Sequence, residues 1–281
     1  MSDAESPAGK ADSRPEARTE VAAERYVGAK DLTRWDSRLG RAVAAAEHRL
    51  SGLLGAHGAL ILILAIGAAI AAGATVAVAG IYDAVTEVDG VAGLDRPMLH
   101  AAMNVRSPWL DTAATYYTDI GGVIVMPILA SLAIVALVIQ RREWTPLLVI
   151  GGAGVGSLLM TVAGKGLVGR ARPKLADAVP PFEHSPSFPS GHTLNATAIA
   201  GAIAYVLVLR QARRATRALT VAVAVVFAFT IGLSRIYLGH HWFTDVLVAW
   251  MLGLGWLAVV ITAHRLYLTS RKKQIQTGEA R

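Results

Sequence analysis

Apolar residues gather in this chain into six long stretches, at 59–82, 113–139, 146–163, 192–209, 218–233 and 243–263. An α-helix rises about 1.5 Å per residue, so roughly 20 apolar residues cross the hydrocarbon core of a bilayer. Inside lipid no water satisfies backbone N–H and C=O groups, which leaves the helix as the form in which such segments span. The expected fold class is therefore all-α, a polytopic membrane protein with six transmembrane helices. A content of 54% hydrophobic residues over 281 positions agrees, and excludes an ordinary soluble domain. The third and fifth stretches are among the shorter ones. Thr145 ahead of Pro146 is a good N-cap and first-turn pair for the third, and Gly151, Gly152, Gly154 and Gly156 on it would let neighbouring helices approach closely.

The flanks differ from this centre. Residues 1–30 are polar, of mixed charge and rich in Pro, Ser and Ala, so a disordered tail without a cleavable signal is expected. Over 31–57 an amphipathic interfacial helix is expected, because Leu32, Trp35, Leu39, Val43, Leu50 and Leu53 recur at helical spacing with Arg34, Arg38, Arg41 and Arg49 between them. Two placements fit it, the anionic surface of a leaflet or the protein's own cytoplasmic loops. Residues 58–265 form the six-helix membrane domain in this reading, and 266–281 a basic cytoplasmic tail. With no cysteine, the chain can build neither a disulfide nor a thiolate metal site.

Short loops rich in Lys and Arg stay on the cytoplasmic side. Arg141 and Arg142 follow the second stretch, Arg210, Arg213, Arg214 and Arg217 the fourth, and Arg265, Arg271, Lys272 and Lys273 the sixth. Both termini are thus expected in the cytoplasm, with the chain in the plasma membrane. The segments 165–192 and 234–245 then fall on the periplasmic or extracellular side. The net charge of +7 follows from these loops, so no nucleic-acid partner is called for.

Those two external segments carry the chemistry. Lys165 and Arg172 are seven apart, about two helical turns, and would share one face until Pro173 ends the run. Such a pair suits an anion, Arg with a planar fork and Lys with a compact charge. Ser190 stands where a loop meets an apolar helix, a natural N-cap, so the N–H groups of Gly191 and His192 would point at an anion. The His192 imidazole could carry a proton to a leaving oxygen. His241 and Asp245 are four apart and would share a helix face, the carboxylate orienting one ring nitrogen and leaving the other free as a nucleophile. His240 points about 100° away and is read as structural. Arg235 adds a third cation. Positioning with stabilisation of spread negative charge is what phosphoryl transfer demands. No metal or other cofactor is expected, since cations beside the His241–Asp245 pair would repel a divalent ion.

The pattern KxxxxxxRP, PSGH and SRxxxxxHxxxD at 165–173, 189–192 and 234–245 resembles the type 2 phosphatidic acid phosphatase (PAP2) superfamily at every motif position. The resemblance is specific over 165–245, looser over 59–263, and does not reach the first 57 residues. It implies an all-helical membrane phosphatase acting on a lipid phosphate monoester or diphosphate, of the phosphatidic acid, phosphatidylglycerophosphate or polyprenyl diphosphate type. By position it implies that Lys165, Arg172 and Arg235 bind phosphate, with Ser190 and Gly191 adding hydrogen bonds. It makes His192 the general acid and base, His241 the nucleophile that forms a phosphohistidine, and Asp245 the residue that orients it. Membrane lipids are the expected surroundings. A vanadium haloperoxidase shares the cradle but is soluble, which six apolar stretches oppose. An anion transporter would carry more mid-span polar groups than Ser157, Asn195 and Thr197.

If fixed cations replace a metal's charge, lipid phosphatase activity survives EDTA without added Mg²⁺. Orthovanadate inhibits, because it adopts five-coordinate geometry with His241 at one apex. Phosphate-release assays check both; loss in EDTA with rescue by Mg²⁺ and indifference to vanadate would refute them.

Overall fold

Most joints of the helical bundle fall where the chain carries a residue that cannot continue a helix. The computed structural model describes residues 24–38, 40–46, 49, 67 and 91–278. Its helices are α1 Asp95–Asn104, α2 Pro108–Asp119, α3 Val125–Arg141, α4 Thr145–Val168, α5 Gly191–Leu209, α6 Arg214–Tyr237 and α7 Phe243–Gly278. Proline stands in the first turn of α2 and of α4, where its missing N–H costs nothing. Gly169, with φ of 61°, closes α4 in the left-handed conformation that ends helices. Before α1, Tyr26–Val27 and Lys30–Asp31 pair as a short antiparallel hairpin.

Among the described residues, α4, α5, α6 and Phe243–Lys272 of α7 are long and apolar enough to cross a membrane. The stretches at 146–163 and 218–233, short in the sequence, thus become helices of 24 residues each. The stretch at 113–139 is not one helix. It breaks at Gly121–Gly122 between α2 and α3, leaving α3 a 17-residue apolar helix. The stretch at 59–82 lies outside the described residues apart from residue 67.

The core joins α3, α4, α5 and α7 through Leu137, Ile150, Ala153, Met160, Leu194, Ala198, Ala202, Trp256 and Val260, all buried. Gly156 shows how closely α4 and α7 approach: a Cβ there would stand 2.1 Å from the Trp256 ring. The Trp256 Nε1 in turn donates to the carbonyls of Gly152 and Ala153 at 3.1 and 3.2 Å. Mid-span polar groups are used between and within helices, Ser157 donating to Asn195 at 2.5 Å and Thr197 to the Thr193 carbonyl at 2.7 Å. The opposite faces stay apolar and exposed, with Val155, Leu158 and Val162 on α4 and Val221, Val225 and Val226 on α6. Such faces suit hydrocarbon rather than water.

Both flanks depart from expectation. The hairpin at 26–31 and the burial of Glu24 replace the polar tail over its last residues. Helix occupies 40–46, but Leu32 and Trp35 are docked on α7 rather than on a helical face turned to a leaflet. Leu32 packs with Leu209, Ala263, Tyr267 and Leu268, and its carbonyl accepts from Arg265 Nε at 2.9 Å. Trp35 donates to Thr269 at 3.1 Å while the Arg265 guanidinium lies 4.3 Å from its ring. This cover supplies the partner that Tyr267 and Leu268 need, so α7 continues through Gly278 where a tail from 266 is expected.

Gly156→Ala overpacks the α4–α7 contact and lowers stability by about 1–3 kcal/mol. Gly255→Ala, where nothing among the described residues lies within 4 Å of the new methyl, leaves it unchanged. Thermal unfolding of both variants in one detergent makes the comparison, and equal midpoints would contradict it.

Candidate active site

The loop from Gly169 to Ser190 and the turn between α6 and α7 meet at one end of the bundle. Gly239 makes that turn possible: its φ is +70°, and a Cβ would lie 2.3 Å from the Asp177 carbonyl. The turn lets the amides of His240 and His241 both donate to the Arg235 carbonyl, at 3.1 and 3.2 Å. His241 is therefore in the turn ahead of α7, not on a helix face shared with Asp245. The two still meet, Nδ1 standing 3.5 Å from the Asp245 Oδ2.

The ring's environment assigns its protons. Arg172 Nη1 lies 3.2 Å from His241 Nε2, and a guanidinium only donates, so Nε2 accepts. The proton then sits on Nδ1, facing Asp245 and, also at 3.5 Å, the Ser187 hydroxyl. Complete burial first, and then Arg235 and Arg172, push the His241 imidazole well below its ordinary range. It is neutral at physiological pH, with its Nε2 lone pair turned toward the cations. His240 is pushed down to about 4, by burial and then by Arg235. Its Nε2 bonds the Val179 carbonyl at 2.7 Å, in keeping with a structural role.

The cations converge as the motifs foretell, by a different route. Gly169 ends α4 before Arg172, so Lys165 comes from the helix and Arg172 from the loop rather than both from one helical face. Lys165 Nζ donates to Ser185 Oγ at 3.0 Å and to the Pro186 carbonyl at 2.5 Å. Arg172 donates to the Ser185 carbonyl through Nε at 2.6 Å and to the His240 carbonyl through Nη1 at 2.5 Å. Arg235, 1% exposed, bonds Thr118 Oγ1 at 3.3 Å, and its Nε has no hydrogen-bond partner among the described residues. Both arginines pair with Glu183, Arg172 at 2.7 Å.

His192 lies in the first turn of α5 beside the α2–α3 break, where a Cβ on Gly122 would come within 3.2 Å of its Nε2. Ser190 takes the N-cap position, yet its side chain makes no capping bond and instead meets Thr193 Oγ1 at 2.8 Å. Gly191 is buried at the helix start.

The sequence reading missed a second set of residues. Arg170 donates to Asp245 Oδ1 at 2.5 Å and pairs with Asp95 Oδ2 at 2.6 Å. Asp95 also accepts from the Thr244 amide at 2.8 Å. Ser187 donates to Asp245 Oδ2, which accepts as well from the Trp242 amide at 3.0 Å. Glu183 stays ionised although burial acts to raise it, because the Arg235 and Arg172 guanidinium groups outweigh that effect and hold it well below the usual carboxylate range. A second arginine two residues before Arg172 is the one sequence signal for this set. Asp95 reads only as part of an acidic loop.

Known proteins resemble this chain. The family model of the PAP2 superfamily matches residues 142–267, which contain all of the motifs. Phosphatidylglycerophosphatase B of Bacillus subtilis (strain 168) is 34% identical over 176 residues, covering 62% of this chain and 85% of that protein. The crystal structure of a transmembrane PAP2 type phosphatidylglycerolphosphate phosphatase from Bacillus subtilis superposes with a TM-score of 0.60 at 30% identity, covering 67% of this chain and 93% of the other. That of Aquifex aeolicus LpxE gives a TM-score of 0.48 at 26% identity, over 63% and 97%.

His241→Ala abolishes phosphate release and His192→Ala nearly does. Asp245→Asn lowers kcat by about 10²- to 10⁴-fold, the scale seen when an orienting carboxylate is lost. Steady-state kinetics on folded variants test this. Near wild-type turnover in His241→Ala, with loss in His240→Ala instead, would reverse the assignment.

Proposed function

The chain belongs to the PAP2 superfamily of membrane phosphatases, and from that premise we propose that it hydrolyses a lipid phosphate monoester or diphosphate through a phosphohistidine on His241. The observation that carries this reading is the orientation of the His241 ring, Nε2 against Arg172 at 3.2 Å and Nδ1 toward Asp245. Nε2 attacks phosphorus, the bond from phosphorus to the ester or bridging oxygen breaks, and His192 donates a proton to the departing oxygen. His192 then takes a proton from water, which attacks the phosphohistidine and frees phosphate and His241. Lys165, Arg172 and Arg235 stabilise the spread negative charge, the part a metal plays elsewhere. Ser190 and Gly191, buried at the start of α5, add hydrogen bonds to the phosphate in this reading.

The substrate is lipid-borne in this reading, since the site crowns a bundle whose outer faces are apolar. Relatives named for phosphatidylglycerophosphate make that lipid the first candidate, ahead of phosphatidic acid and polyprenyl diphosphate. The apolar stretch at 59–82 and the apolar helix α3 complete a six-span arrangement in the plasma membrane in this reading. Loops bearing Arg141, Arg142, Arg210 and Arg213 then face the cytoplasm, as do both termini, and the site faces outward.

Phosphate release by purified full-length protein from these three lipids in detergent tests the activity. Turnover of phosphate-labelled lipid quenched in alkali traps a base-stable, acid-labile label on the wild type and none on His241→Ala. Failure to release phosphate from any of them would refute the function, and a label that survives His241→Ala the intermediate. An impermeant thiol reagent on intact cells labels His184→Cys and spares Arg213→Cys; the opposite pattern would put the site in the cytoplasm.

A further inference from the structure

Glu183 stands where a phosphate is expected. Its Oε2 pairs with Arg172 Nη2 at 2.7 Å, its Oε1 pairs with Arg235 Nη2, and His240 Nδ1 lies 3.9 Å from Oε1. A carboxylate and the edge of a phosphate present similar pairs of oxygens to a guanidinium fork, so a phosphate that bridges the two arginines must displace this side chain. Glu183 is also the one carboxylate in contact with the cradle cations among the described residues. Asp245, the other carboxylate nearby, is already paired with Arg170.

The backbone around Glu183 is an arch tied down at both feet. At one foot the Val179 amide donates to the Leu238 carbonyl at 2.9 Å, and the Val179 carbonyl meets His240 Nε2 at 2.7 Å. At the other the Ser187 amide donates to the Arg170 carbonyl at 2.8 Å. Between them Phe182 and His184 are exposed and the Glu183 side chain keeps 29% of its surface in solvent. The carboxylate can therefore swing into water while the feet hold. The same arch supplies Ser185 and Pro186 to Lys165, so one short segment covers all of the cradle cations.

Three cations without a counter-charge would retain inorganic phosphate, the second product, and slow its release. We propose that Glu183 is an internal anion that yields the space between Arg172 and Arg235 to the substrate phosphate and returns to it afterwards, weakening retention of inorganic phosphate. This rests on the reading that these arginines bind phosphate. The exchange keeps an anion between the two arginines before and after turnover, and it makes Glu183 a determinant of affinity rather than a participant in bond breaking.

Glu183→Gln keeps the shape and removes the charge, while Glu183→Asp keeps the charge on a side chain one methylene shorter. With full-length protein in detergent, the Ki of inorganic phosphate falls about tenfold in Glu183→Gln, equal to ~1.4 kcal/mol. KM falls with it, whereas kcat stays level or drops. In Glu183→Asp the Ki lies between those of Glu183→Gln and the wild type. A Ki that is unchanged or raised in Glu183→Gln would overturn the proposal. Calorimetric binding of inorganic phosphate reads the same site without turnover, and repeating it with Glu183→Ala decides the matter if the Gln variant does not fold. Tighter phosphate binding by a variant of a protein that hydrolyses no lipid phosphate would refute the function and leave this inference standing. Unchanged phosphate binding in an active enzyme would refute this inference alone.

Discussion

A guanidinium held between two buried carboxylates ties the active end of this molecule together. Arg170 joins Asp95 at the start of α1 to Asp245 in the first turn of α7, and it does so from the loop that follows α4. Charges taken from water are costly unless each is paired, so none of the three elements can shift alone without stranding a charge. The pairing raises the Arg170 pKa further, although burial opposes it. Asp245 gains a fixed position, accepting from Arg170, Ser187 and the Trp242 amide, and His241 takes its orientation from that fixed carboxylate. A contact that never touches the His241 imidazole thus fixes the carboxylate that faces it.

The far end of the bundle repeats the device for another purpose. Glu24 is buried within 3.2 Å of His264, 3.6 Å of Arg141 and 3.7 Å of Arg210, while Arg210 also pairs with Glu143 at 2.6 Å. Those arginines read from the sequence as orientation signals, and they also hold the segment before α1 against α5 and α7. Opposite ends of a helix like α4, 24 residues and about 36 Å long, are both closed by ionic clusters. The clusters lie where helix ends leave lipid, and the middle is left to apolar packing.

How much of this could be read beforehand follows from the range of each interaction. Lys165, Arg172, His192, Arg235, His241 and Asp245 do come together, because each motif is short enough to carry its residues to one end of the bundle whatever path the chain takes between motifs. The path itself was harder to see. Gly169 ends α4 and Gly239 turns the chain ahead of His241 through backbone conformations that hydrophobic periodicity does not register, so two expected helix faces became a loop and a turn. The break at Gly121–Gly122 was hidden for a related reason: apolar residues continue on both sides of it, and only the glycine pair marks it. Asp95 and Glu183 were illegible because each is defined by a partner 75 or 52 residues away. The docking of Leu32 and Trp35 on α7 was illegible on the same ground.

A site that concentrates positive charge faces opposite demands. It must hold a phosphoryl group through its transition state and then let inorganic phosphate go, and cations that serve the first oppose the second. One solution weakens the cations, at the expense of the charge stabilisation on which the reaction depends. Another leaves them at full strength and supplies a tethered anion to compete for them. The arch from 179 to 187 has the geometry of the second solution, because its feet are fixed by hydrogen bonds to the α6–α7 turn and to Arg170 while Glu183 lies between the arginines. Both feet belong to the network around His241, so the arch backbone keeps its place beside His241 and the arginines while the Glu183 side chain is free to leave them.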